Sequence, residues 1–203
     1  MSGLPQVHPA GKPAHSPPDT RHQSITVNHR LTVFIEQPPE FVRKLYPSAV
    51  WRMDPDERAV YLTFDDGPIP EVTPWVLDLL DKYDIKATFF MVGDNIRKHP
   101  DEFQMVVERG HRIGNHTFNH LRGFEYNFKD YLANAEKANE VMKTDLFRPP
   151  HGHMGWTQYM ILKRRYKIIM WDLVTRDYSK KLRGPQAVSY THLRAHETSL
   201  HLV

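Results

Sequence analysis

From Val60 onward, short apolar runs alternate with stretches whose apolar residues recur at helical spacing. The run AVYLTFDD reads as a buried strand. Thr73 is placed to cap a helix with Pro74 at its first position, and Val76, Leu79, Leu80 and Tyr83 follow helical spacing. KATFFMV reads as a second strand. DEFQMVVERG reads as a short helix with Phe103, Val106 and Val107 inward and Gly110 as its stop. HRIGNHT is expected as a third strand. Residues 126–143 read as a longer helix with Phe128, Tyr131, Leu132, Ala135 and Met142 on one stripe. LFRPPHG is then a fourth strand, WTQYMILKRR a helix and YKIIMWDLV a fifth strand. Such alternation predicts an α/β fold around a parallel sheet, open or closed as a barrel. In both, active sites gather at the C-terminal ends of the strands.

The chain before Val60 has a different texture. Residues 1–30 contain five of the 16 prolines and four of the 13 histidines but few large apolar residues, so they read as a disordered or non-native extension. His8, His15, His22 and His29 recur every seven residues, but a proline-rich stretch does not hold a rigid ligand set. Residues 31–58 begin to look folded, with a strand-like LTVFI and a proline-bounded helical piece.

Composition narrows the function. The 203 residues, 40 % hydrophobic and 25 % charged, suit one soluble domain. The formal charge of +3 is small and dispersed, which argues against a nucleic-acid partner. No apolar run approaches the roughly 18 residues of a membrane span. No signal peptide is visible, so the cytoplasm is the default expectation. The absence of cysteine removes disulfides, thiolate metal sites and a cysteine nucleophile.

Four polar clusters follow the expected strands. Thr63-Phe64-Asp65-Asp66-Gly67-Pro68 closes the first with two adjacent acids. Successive strand side chains face opposite ways, so one carboxylate can bind metal while the other moves protons; the alternative is a solvated turn. In His116-Thr117-Phe118-Asn119-His120, two imidazoles at i and i+4 are expected to share one face of a helical turn. Two His and one carboxylate leave a coordination position open, the catalytic pattern; the alternative is two unrelated surface histidines. Arg148-Pro149-Pro150-His151-Gly152 offers a guanidinium that can orient a carboxylate and a rigid turn whose amides can face an oxyanion; alternatively it is a structural turn. Trp171 to Asp177 adds an aromatic wall and carboxylates, or simply an amphipathic strand end.

In this order, the clusters resemble those of the polysaccharide deacetylase family, the NodB-homology domain or carbohydrate esterase family four. TFDDGP, HTFNH and RPPHG are close to its first three motifs, and the resemblance covers roughly Val60 to Tyr178. It implies a distorted (β/α) barrel and metal-dependent removal of N-acetyl groups from a chitin- or peptidoglycan-like glycan. By position, Asp66, His116 and His120 would bind a divalent metal, usually zinc, and Asp65 would be the general base. Arg148 would orient Asp65, Asp177 would support Arg148, and the amide of His151 would help form the oxyanion hole. Pro150, His151 and Trp171 would line the substrate groove. The family is often extracytoplasmic. This sequence departs from its pattern in three places. His151 stands where an aromatic is usual, and Val174 where an acid is frequent. The closing Leu-His strand, whose His acts as general acid, does not follow Asp177. Other readings remain: hydrolysis of a non-glycan amide on the same barrel, or a non-catalytic carbohydrate-binding barrel. A paired-carboxylate glycoside hydrolase fits adjacent strand carboxylates poorly.

Residues 188–203 have their own signature. VSYTHLRAHET matches the frame translation of a transposon-based sequencing adapter, with Ser199-Leu200 from a barcode and His201-Leu202-Val203 from its constant end. The expectation is a catalytic barrel over residues 31–187 that is incomplete at its C-terminus, impaired in turnover and open at a sheet edge.

Overall fold

The structure, a computed structural model, describes residues 38–53, 59–174 and 201–202. The expected N-terminal extension, the LTVFI strand, Asp177 and residues 188–200 lie outside them.

The central element is a parallel sheet. Its strands are β1 (Tyr61–Asp65), β2 (Thr88–Met91), β3 (Arg112–Asn115), β4 (Leu146–Phe147), β5 (Lys167–Ile168) and β6 (His201–Leu202), in the order β5-β4-β3-β2-β1-β6. Every pair of neighbours is parallel. The helices are α1 (Glu40–Leu45), α2 (Thr73–Lys82), α3 (Gly93–Lys98), α4 (Pro100–Glu108), α5 (Phe128–Met142) and α6 (Trp156–Leu162). This is the strand–helix alternation expected of an α/β barrel domain. Tyr61 and Leu62 pair with His201 and Leu202, and the sheet stays open, with β5 and β6 as its edges among the described residues.

Strand alternation sorts the side chains. Leu62, Phe64, Phe89, Met91 and Ile113 pack toward the helices in a cluster with Leu77, Leu80, Ile96, Val106 and Met142. A second cluster joins Tyr46, Trp51, Tyr131, Phe147, Tyr159, Leu162 and Ile168. α5 supplies both, through Tyr131 and Ala135 to one and Ala138 and Met142 to the other. The opposite sheet face carries Thr63, Asp65, Phe90, Gly114 and Arg148. There a Cβ at Gly114 would lie 2.3 Å from Phe90 Cδ1, so glycine makes room for the ring. The Arg148 guanidinium lies 4.1 Å from the centroid of Phe90.

Several expectations need correction. α2 buries Thr73, Leu77 and Leu80, whereas Leu79 and Tyr83 are exposed. Thr73 is the first helical residue, and its Oγ1 accepts from Ile69 N at 2.9 Å. On α4, Val106 is buried but Val107 is exposed. On α5, Phe128 is exposed. The strands at Leu146 and Lys167 span two residues each, shorter than the apolar runs that announced them. α3 was not expected.

Candidate functional site

Asp65 and Asp66 part company at the end of β1. Asp65 stays in the strand and points to the inner face, where its Oδ1 accepts from Arg148 Nη1 at 2.8 Å. Asp66 leaves the strand in the left-handed region, with φ 69°. That turn, as much as strand alternation, separates the two carboxylates. Asp66 Oδ1 lies 3.0 Å from His120 Nε2 and 3.4 Å from His116 Nε2.

The two histidines do not share a helical turn. His116 directly follows β3, where its N–H donates to Met91 O at 3.0 Å. Thr117 (φ 64°) and His120 (φ 54°) are both left-handed, and they fold the chain back on itself. Side chains fix this turn. Asn115 Oδ1 accepts from Thr117 N at 2.8 Å, and Thr117 Oγ1 accepts from Leu121 N at 3.1 Å. From α5, Asn134 Oδ1 accepts from Phe118 N and Asn119 N at 2.8 and 3.0 Å. The imidazole centroids end up 5.1 Å apart.

The donor set suits a divalent cation. His116 Nδ1 lies 2.7 Å from Arg148 O. A carbonyl only accepts, so the proton of a neutral ring sits on Nδ1 and the Nε2 lone pair faces the Asp66 carboxylate. Two acceptors facing each other call for a positive centre between them. One ligand atom each from Asp66, His116 and His120 lies within 4.8 Å of the others. These are two nitrogens and one oxygen, the donor types of catalytic zinc sites.

Arg148 is fully buried. Besides Asp65 it donates to Thr63 Oγ1 at 2.7 Å, to Met170 O at 2.9 Å and to Ile169 O at 3.2 Å. Burial draws its pKa below the ordinary arginine value while Asp65 opposes that, and a guanidinium stays charged throughout. Pro150 is buried at the following turn, and His151 (φ 57°) presents its ring to His120, centroid to centroid 4.8 Å. Desolvation, then the nearby charges of His120, Arg122 and His153, push the His151 pKa down to about 4. Gly152 (φ 69°) admits Trp171, whose Cη2 would lie 2.5 Å from a Cβ there. Trp171 is half-buried, and its buried indole N–H has no partner among the described residues.

Of the fourth cluster, Asp172 has another task. Its buried carboxylate accepts from Arg43 Nη2 at 2.6 Å and from Arg52 Nε and Nη2 at 2.9 and 3.0 Å. Sequence reasoning missed this pairing, as it missed Thr63, Asn95, Asn115 and Asn134. Their partners are distant in sequence or are backbone atoms, and no spacing announces them. A cavity of about 310 Å³, lined by Asp66, Val92, Asp94, Asn95, Asn119 and His120, opens beside this candidate donor set.

The sequence model for polysaccharide deacetylase matches residues 52–165. A peptidoglycan-N-acetylglucosamine deacetylase of Bacillus cereus is 37 % identical over 128 residues, covering 60 % of this chain and 60 % of the relative. A chitooligosaccharide deacetylase of Rhizobium leguminosarum bv. trifolii is 46 % identical over 65 residues, covering 32 % of this chain and 30 % of its own length. This chain thus spans only part of the curated relatives it matches. Among solved structures, the peptidoglycan deacetylase PdaC from Bacillus subtilis aligns with a TM-score of 0.66 at 26 % identity, over 74 % of this chain and 75 % of that one.

Proposed function

The chain belongs to the polysaccharide deacetylase family, and from that premise we propose that it is a metal-dependent hydrolase that removes N-acetyl groups from a glycan, most directly the N-acetylglucosamine of a peptidoglycan-like polymer. The observation that carries the reading is the division of labour between two adjacent acids. Asp66 faces His116 and His120, while Asp65 is locked to a buried arginine.

In this reading Asp66, His116 and His120 hold the divalent metal, zinc by their donor types. A bound ion would supply Lewis acidity and lower the pKa of water toward neutrality. Asp65 takes the proton from the attacking water as general base. Arg148 aims the Asp65 carboxylate, and its own position is set by Thr63, by the carbonyls of Ile169 and Met170 and by the ring of Phe90. The His151 amide, on its left-handed turn, is the backbone donor for the tetrahedral oxyanion. The His151 and Trp171 side chains and Pro150 form the wall against which the sugar rests. Asp177, outside the described residues, keeps its role as support for Arg148 as a proposal only. The group that protonates the leaving amine is not assigned among the described residues.

The peptidoglycan-type substrate is supported by the relatives' names, and a chitin-like oligomer is the companion candidate. The test is acetate release by the full chain from N-acetylglucosamine oligomers and from peptidoglycan fragments, with zinc and then with chelator. Zinc-dependent acetate from either glycan is expected. Zinc bound tightly with no acetate from any glycan would favour hydrolysis of a non-glycan amide or, if the glycan still binds, a non-catalytic carbohydrate-binding barrel.

A further inference from the structure

We infer that Asn95 is a positioning residue for the metal centre: its carboxamide pins the left-handed turn that carries Asp66, and the first turn of α3 joins that turn to the one carrying His116 and His120. The inference rests on the metal-centre reading above.

Asp66 is a poorly supported ligand by itself. Its side chain is 61 % exposed, so packing does not hold it. Its backbone takes a conformation that side-chain-bearing residues adopt rarely. Asn95 Nδ2 donates to the Asp66 carbonyl at 2.7 Å. One residue on, Gly67 O accepts from Val92 N at 3.0 Å. The start of α3 therefore grips two consecutive carbonyls of the β1 turn.

The same residues grip the second turn. Gly93 N donates to Thr117 O at 3.0 Å, and Asp94 N donates to Phe118 O at 2.8 Å. Thr117 and Phe118 lie between the two histidine ligands. This approach requires a glycine, since a Cβ at position 93 would lie 2.6 Å from Phe118 Cδ2 and 3.2 Å from Ala138 Cα. Four consecutive residues, Val92 to Asn95, thus bind together two loops that carry all three ligands.

Of these contacts only Asn95 acts through its side chain, so mutation can reach it. A carboxamide can donate to a carbonyl, whereas a carboxylate of the same shape sets two acceptors against each other. Partners behind a metal ligand typically set affinity within about 10- to 100-fold.

The experiment uses the full chain stripped of metal, titrated with Zn²⁺ by calorimetry and with Co²⁺ by visible absorption, for wild type, Asn95→Ala and Asn95→Asp. Wild type is expected to bind one ion, and both variants to bind Zn²⁺ at least about tenfold more weakly with an altered Co²⁺ spectrum. The metal-free melting temperature of Asn95→Asp should stay close to wild type. If Asn95→Ala does not fold, Asn95→Asp carries the test. Wild-type affinity and spectrum in a folded Asn95→Asp protein would overturn the inference and leave the metal centre standing. An affinity loss that merely tracks a fall in metal-free melting, with an unchanged Co²⁺ spectrum, would also overturn it. A wild-type chain that binds neither ion would overturn the metal centre and this inference together.

Discussion

Arg148 shows how much one residue can organise. It is fully buried, its side chain makes four hydrogen bonds among the described residues, and its nearest compensating charge is Asp65. Removing one partner of such a pair leaves a buried charge uncompensated, which costs roughly 3–5 kcal/mol. Arg148→Met should remove any acetate release, because Asp65 is no longer aimed. Its stability should fall less than that of Asp65→Leu, which strands the cation instead. Chemical denaturation of the two variants checks the order. Much of this was legible as chemistry but not as geometry. The motif around Asp65 named the two acids and predicted that they would face apart. What turns Asp66 toward the histidines is its own left-handed backbone, and no composition rule marks that residue for it. His151 was expected through its amide and as groove wall, yet its ring also lies against His120.

At the scale of elements, the hydrophobic pattern located β1, β2 and β3 and helices α2, α4, α5 and α6, but it misread some faces. Val76, Leu79, Leu80 and Tyr83 and the pair Leu77 and Leu80 are both plausible helical stripes of one amphipathic segment, and only the sheet beneath selects between them. Leu77 is fully buried while Leu79 is 41 % exposed. Leu77→Ala should therefore cost about 2–5 kcal/mol, and Leu79→Ala under about 1 kcal/mol, measured by urea unfolding. Equal costs would restore the sequence-based face. α3 escaped notice because GDNIRK has one buried large apolar residue, Ile96, and opens on a glycine. The turn between His116 and His120 was read as helical because i, i+4 spacing suits a helix. Its left-handed form depends on Asn134, which sits on α5 and is invisible to a local pattern.

Across the whole molecule, the segment before β1 is tied to the far edge of the sheet. Val50 bridges Ile169, and Arg43 and Arg52 meet at Asp172. Burial raises the Asp172 pKa, but the hydrogen bonds from Arg52 and Arg43 outweigh it and leave the pKa below its ordinary value. A carboxyl depressed in the folded state contributes stability that is present above its unfolded value of about 3.9 and lost as pH falls through the folded value. Wild type should thus lose stability below about pH 4 more steeply than Asp172→Asn, which should already be weaker at neutral pH. Acid titration of the unfolding midpoint measures both. Because Met170 and Ile169, just before Asp172, hold Arg148, this anchor also backs the site from a segment that lies mostly ahead of the family match.

The division of labour proposed for the two neighbouring acids is read out by zinc content and acetate release for Asp65→Asn and Asp66→Asn beside the wild-type chain. Asp65→Asn should keep its zinc and lose acetate release by about 10²- to 10⁴-fold, whereas Asp66→Asn should lose the zinc itself. Loss of zinc from Asp65→Asn with retention by Asp66→Asn, or full acetate release by either variant, would contradict that division.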